Sequence, residues 1–137
     1  MIHRTLQPDG WPRPRGYANG ISARGRQVHV AGQIGWNSAE QLVSTEFVAQ
    51  ARQALCNIVD ILACDGARAE HLVRLTWYVV DRESYLANAK ALGDAYREVI
   101  GLHFPPMSAV LVGALREPGA LVEIEATAVV PDDATDG

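Results

Sequence analysis

Between Ser44 and Cys64 the apolar positions recur every three or four residues. Phe47, Ala51, Leu55, Ile58 and Leu62 make one stripe, which predicts a helix over 45–64. Ser44 is placed to cap it, Glu46 suits its first turn, and Asp65-Gly66 supplies the stop. The period then changes to two. Leu72–Val80 is rich in β-branched and aromatic residues, with Val73, Leu75, Trp77 and Val79 on one face and Arg74, Thr76, Tyr78 and Val80 on the other. Helical spacing returns from about Ser84 to Ile100, where Tyr85, Ala89, Leu92, Tyr96 and Val99 form the stripe and Gly101 ends it. Met107–Leu115 and Leu121–Val130 follow as strands. Arg116-Glu117-Pro118-Gly119 between them predicts a turn joining antiparallel neighbours. Near the start, Tyr17–Ala23 and Gln27–Ile34 flank Arg24-Gly25-Arg26, the pattern of a β-hairpin.

The predicted order is ββ-α-β-α-ββ, an α+β fold. Right-handed crossovers place both helices on one face of a mixed sheet. Residues 1–15 form an N-terminal arm, loop-like where 8–16 hold three prolines and two glycines. Residues 16–130 form a single domain, and 131–137 a loose polar tail.

The last two strands bear on assembly. In Leu121–Val130, Val122, Ile124, Ala126, Ala128 and Val130 suit a helix-covered face, while Leu121, Glu123, Glu125, Thr127 and Val129 share the other. In Met107–Leu115 the alternation nearly vanishes, since Met107, Ala109 and Leu111 are opposed by Val110, Val112 and Ala114. A strand apolar on both sides expects cover on both, and two helices cover only one. The second face is therefore expected to meet another subunit in a closed symmetric assembly. Glu123 and Glu125 on that face need partners, with Arg74 a candidate. Structural ion pairing and a ligand role for Glu123 stand level.

Composition narrows the picture further. Apolar residues make up 48% and charged residues 20%, an ordinary folded chain. The net charge of −4 is uneven: residues 1–26 carry five arginines against Asp9, or +4, leaving −8 for the rest. A basic segment on an acidic body hints at an anionic ligand, although a solvated basic edge is the plainer reading. Cys56 and Cys64 lie eight residues apart on one helix. At about 1.5 Å of rise per residue that is too far for a disulfide, which points to a reducing compartment. No apolar leader begins the chain and no run approaches the ~18 apolar residues of a membrane span, so the expectation is a cytoplasmic protein that makes no membrane contact.

Several short stretches, taken in order, carry a family resemblance. Gly16-Tyr17-Ala18-Asn19-Gly20, Val30-Ala31-Gly32-Gln33-Ile34, Gln53-Ala54-Leu55-Cys56-Asn57-Ile58, Phe104-Pro105-Pro106-Met107-Ser108-Ala109 and Leu121-Val122-Glu123-Ile124-Glu125-Ala126 together resemble the Rid (reactive intermediate deaminase) family over roughly 16–130. The resemblance implies a homotrimer whose sheets face inward as a barrel-like core, with small-molecule clefts between subunits. It implies hydrolysis of 2-imino and 2-enamino acids to 2-keto acids and ammonia, with no metal and no organic cofactor. Carried over by position, Glu123 becomes the acid that positions water and moves protons, and Tyr17 lines the pocket. Asn88 and Ala109 sit near it, and Gly32 and Gln33 form part of the cleft wall.

One position departs from the pattern. The family's carboxylate-binding arginine falls at Met107, and a thioether offers neither charge nor donor. Loss of such a contact weakens binding of small imino acids by roughly tenfold to a hundredfold. Either another cation substitutes, with Arg15 the best placed, or the ligand is different. Trp36 and Trp11 are read as covering core, and His103 as a structural helix-end histidine rather than an acid or base. Three functions follow: a hydrolase resembling 2-iminobutanoate/2-iminopropanoate deaminase with altered specificity, a non-catalytic ligand-binding trimer, and an endoribonuclease. The acidic body argues against nucleic acid as a partner.

Overall fold

A computed structural model describes residues 2–132. Its core is a four-stranded mixed sheet: β3 (Gly25–Gln33), β4 (Leu72–Val79), β5 (Met107–Leu111) and β6 (Val122–Pro131), in spatial order β3-β6-β4-β5. β6 runs antiparallel to both β3 and β4, and β5 runs parallel to β4. A separate two-stranded ribbon pairs β1 (Arg4–Leu6) with β2 (Gly20–Ser22).

Among the described residues, three α-helices, α1 (Phe47–Ala63), α2 (Arg82–Ala87) and α3 (Ala89–Val99), and a short 3-10 helix at Ala69–His71 complete the fold. The α1 stripe is wholly sequestered: Ala51, Leu55, Ile58 and Leu62 have no exposure and Phe47 has 6%. Glu46 is the N-cap residue, and the Ser44 hydroxyl accepts from its backbone N–H at 2.9 Å, just ahead of the helix. Gly66, at φ +72°, turns the chain away as only glycine does easily. α1 and α3 pack together over the sheet face made by Leu75, Trp77, Val79, Val122 and Ile124. Each of these residues is at most 5% exposed. On that side the alternation in β6, and in β4 from Leu75 onward, is as the sequence predicts, but Val73, expected on this face, gives its place to Leu72. A bulge between Leu72 and Arg74 lets Leu72 join the core.

Several expectations need correction. The stretches 17–23 and 27–34 do not form a hairpin. Gly25, at φ +148°, redirects the chain, so β2 joins the arm's β1 while β3 pairs with β6. The arm is thus tied to the domain, and Trp11 is 58% exposed rather than covering core. β5 and β6 are not neighbours either. Leu111 and Val122 both pair with Val79, so the connection crosses the end of β4. The second predicted helix is two, broken at Asn88, whose side-chain N–H donates back to the Ser84 carbonyl at 2.7 Å. Finally, the strand foreseen over 107–115 ends at Leu111, and the tail loses Pro131 to β6. Residues 133–137 lie outside the described residues.

Gln50 secures the crossing loop. Its side chain is fully buried on α1, donates to the Ser44 and Gly119 carbonyls at 2.9 and 3.0 Å, and accepts from Leu121 N–H at 2.8 Å. A buried amide with three backbone partners is satisfied and costs little. Gly35 sits directly beneath it, where a Cβ would lie 2.7 Å from the Gln50 Cβ.

Candidate functional site

A cavity of about 380 Å³ opens between α3, the β5 edge and the arm. Strand parity sets its floor. In the parallel β4–β5 pair, Met107 aligns with Leu75 and Ala109 with Trp77, so Met107 and Ala109 face the helix side. Trp77 joins them on the floor, 5% exposed, and its indole N–H is buried with no hydrogen-bond partner. The helical wall comes from Tyr85, Leu92 and Tyr96. Tyr96 stacks on Phe104 with ring centroids 5.3 Å apart, and its hydroxyl donates to the His103 carbonyl at 2.6 Å. Burial pushes the Tyr96 phenol well above its ordinary range, so it stays neutral. Arg15 and Tyr17 close the cavity from the arm.

The rim is cationic. Arg15 is exposed and makes no hydrogen bond or ion pair among the described residues. Arg97 lies over Gly93, where a Cβ would be 3.4 Å from its Nη1, and it donates to Asp94 at 2.6 Å. Lys90 also donates to Asp94, at 3.1 Å. Lys90 first, and Arg97 after it, hold the Asp94 carboxyl below its usual range.

Glu123 is elsewhere. It aligns with Tyr78 in β6–β4, while its neighbour Ile124 aligns with Trp77, so Glu123 occupies the open sheet face, opposite the cavity floor. Its carboxylate presses against Gly32: a Cβ at 32 would lie 2.7 Å from the carboxyl carbon. Gln33 adjoins it, its side chain donating to Ala31 O at 3.0 Å. Glu123 and Glu125 differ sharply. Glu125 accepts from the Tyr78 hydroxyl at 2.6 Å, a bond that raises the Tyr78 pKa. Glu123, half-buried, has no hydrogen bond or ion pair among the described residues. The expected partner Arg74 serves neither carboxylate. It donates to Ser108 Oγ at 3.0 Å instead.

The sequence-derived site therefore falls into two groups. Arg15, Tyr17, Met107 and Ala109 line the cavity, and Glu123 and Gly32 meet on the open face, whereas Gln33 aligns with the core residue Ile124 and belongs to neither group. Asn88 lies in neither, tied to Ser84 beside the cavity residue Ala89. His103 is structural: its ring nitrogen Nε2 is 2.7 Å from the Leu72 carbonyl. Tyr85, Leu92 and Tyr96 are visible in the sequence only as a helical stripe, which reads as core. Arg97 carries no sequence signal.

The family described as Endoribonuclease L-PSP matches residues 12–130. YyfB of Yersinia pestis, described as a protein of unknown function of the conserved Rid protein family, superposes with a TM-score of 0.84 at 33% identity. That match covers 95% of this chain and all of YyfB. The chain belongs to the Rid family. Among its Rid relatives, the 2-iminobutanoate/2-iminopropanoate deaminase of Capra hircus is 36% identical over 105 residues, 76% of this chain and 73% of the relative. The deaminase of Escherichia coli K12 is 31% identical over 129 residues, 93% and 98% of the two chains. No helix among the described residues is long and apolar enough to cross a membrane, and those residues hold no His/Cys/Asp/Glu cluster suited to a metal.

Proposed function

We propose that this Rid protein hydrolyses imines or enamines to carbonyl compounds and ammonia at clefts between the subunits of a homotrimer. One observation carries the reading. Of the two carboxylates on the open face, only Glu123 lacks a protein partner, and Gly32 leaves it just enough room. A held, unneutralised, half-buried carboxylate is what proton transfer to and from water requires. It lies across the sheet from the cavity of its own subunit, so the reaction needs a neighbour. The neighbour's open face, set against the β5 edge, brings a second Glu123 to the cavity mouth. The apolar exposure on β5, with Val110 41% and Leu111 46% exposed, supports such cover.

The steps follow from the groups. Water attacks the imine carbon, the new C–O bond forms, and the C=N electron pair moves to nitrogen. Glu123 takes a proton from that water and returns it to the nitrogen. Glu123 then takes the proton of the new hydroxyl and passes it to the amine nitrogen; the C–N bond breaks, the oxygen electron pair makes the carbonyl, and ammonia leaves. Tyr17 at the mouth limits access. Asn88, one residue before the cavity wall, fixes the break that lets α3 lie over the β5 edge.

The test is ammonia release from 2-imino acids made in situ by an amino-acid oxidase, with subunit mass measured alongside. A trimer with accelerated release, lost in Glu123→Ala, is expected. A monomer, or a wild type that accelerates no imine, overturns the reading. Met107 favours a second reading, ligand binding without turnover, because the cavity floor offers no charged donor. Release that appears only in Met107→Arg selects that reading.

A further inference from the structure

The floor and the rim of the cavity are chemically opposite, and the difference dictates how an acid must lie in it. A carboxylate needs charge-assisted donors. The floor offers no cation: Met107 is a thioether, Ala109 is hydrocarbon, and the unpartnered Trp77 indole N–H is neutral and fully buried; on the wall Leu92 is hydrocarbon and the Tyr96 hydroxyl is spent on the His103 carbonyl. The rim has two guanidiniums, Arg15 without a partner and Arg97 resting over Gly93. Asp94 neutralises only one of Arg97 and Lys90, so the rim remains positive. Between rim and floor stand flat faces, with Tyr96 stacked on Phe104, Trp77 beneath, and Tyr17 and Tyr85 beside. A three-carbon acid fills a small part of about 380 Å³ and leaves these rings unsatisfied.

We propose that the cavity selects aromatic 2-imino acids, bound with the ring against Met107, Trp77, Tyr96 and Phe104 and the carboxylate at Arg15 and Arg97. The inference rests on the hydrolase reading for its reaction and on the cavity alone for its selectivity. Here Met107 is a binding group: a soft, polarisable sulfur against an aromatic ring is a favourable contact, and an arginine there would place a charge where the ring must go. The imine carbon adjoins the carboxylate, so this orientation holds the reacting atom at the mouth, where a neighbouring Glu123 arrives, and turns the inert end inward.

Equilibrium binding of stable acids separates selectivity from turnover. The probes are 3-phenylpropanoate, butanoate and the neutral 3-phenylpropanamide, measured by calorimetry on the full chain. The phenyl acid is expected to bind at least tenfold more tightly than either of the others. Arg15→Gln and Arg97→Gln are each expected to weaken the phenyl acid several-fold and leave the amide unchanged. Met107→Arg is expected to invert the preference towards butanoate, with thermal unfolding confirming that each variant folds. Equal affinity for butanoate, or an amide that binds as well as the acid, overturns the proposal. In parallel, oxidase-generated imines of phenylalanine and alanine report turnover. Selective binding without release from either imine sinks the hydrolase reading and leaves the selectivity standing. Faster release from the alanine imine with no binding preference sinks the selectivity alone.

Discussion

The two faces of the sheet are built from the same strands, yet they have opposite contents. On the helix side, Leu75, Val79, Val122 and Ile124 are almost without exposure and Trp77 has 5%. On the open side, one residue out of step, stand Thr76, Tyr78, Glu123, Glu125 and Thr127, all five half-buried. The first set holds the chain folded. The second holds a carboxylate with no partner and another fixed by a tyrosine. Alternation along β4 and β6 therefore assigns stability and chemistry to adjacent residues, so substitutions one position apart should separate the two.

The sharpest version of that contrast is Ile124→Ala beside Glu123→Ala. Ile124→Ala is expected to cost about 2–5 kcal/mol of stability, read by denaturant unfolding at fixed protein concentration. Glu123→Ala should leave the unfolding midpoint nearly unmoved and lower imine hydrolysis by about 10²–10⁴. If both lose stability equally, the open face is as structural as the closed one. Gln50→Ala comes next. It strands the Leu121 N–H, and one orphaned buried donor costs about 1–3 kcal/mol. Unfolding should become easier, and amide exchange at Leu121 should speed up. Gly32→Ala is milder for the fold but forces the Glu123 carboxylate to move, so hydrolysis should fall while Tm changes little. Comparable activity would show that the carboxylate's placement does not matter.

The smallest effect is one of pH. The hydrogen bond to Glu125 raises the Tyr78 pKa, and burial raises that of Tyr96. For both, the native state keeps its proton after the unfolded chain, at about pH 10, begins to lose it. Their contribution is complete below about pH 10 and declines as pH climbs through the folded values. Tyr78→Phe should flatten the fall of Tm above about pH 10 slightly. An unchanged slope removes Tyr78 from the alkaline transition.

The parts of this arrangement visible in the sequence are the local ones. The α1 stripe and the alternation of β6 depend on spacing within one segment, and each buried residue of those stripes is readable from its neighbours. Strand pairing is not local. Nothing within 17–34 says that β2 will take Arg4–Leu6 as partner, and nothing in Arg116-Glu117-Pro118-Gly119 says that β4 intervenes. The candidate site suffers the same limit. Glu123, Gly32 and Met107 were legible because short motifs surround them. The aromatic wall was not, because Tyr85, Leu92 and Tyr96 satisfy the core pattern equally well, and only the gap left by the β5 edge converts that stripe into a lining. Arg97 could not be found without knowing that Gly93 makes space beside it.

β6 follows every other strand in the chain and yet lies between β3 and β4. During synthesis, then, its two flanking strands emerge long before the piece that joins them, and until it arrives each presents a bare hydrogen-bonding edge. β4 and β5 can pair before residues 122–131 are made, but β3 cannot join them, so the full hydrophobic layer and the Glu123 carboxylate are completed in a single late event.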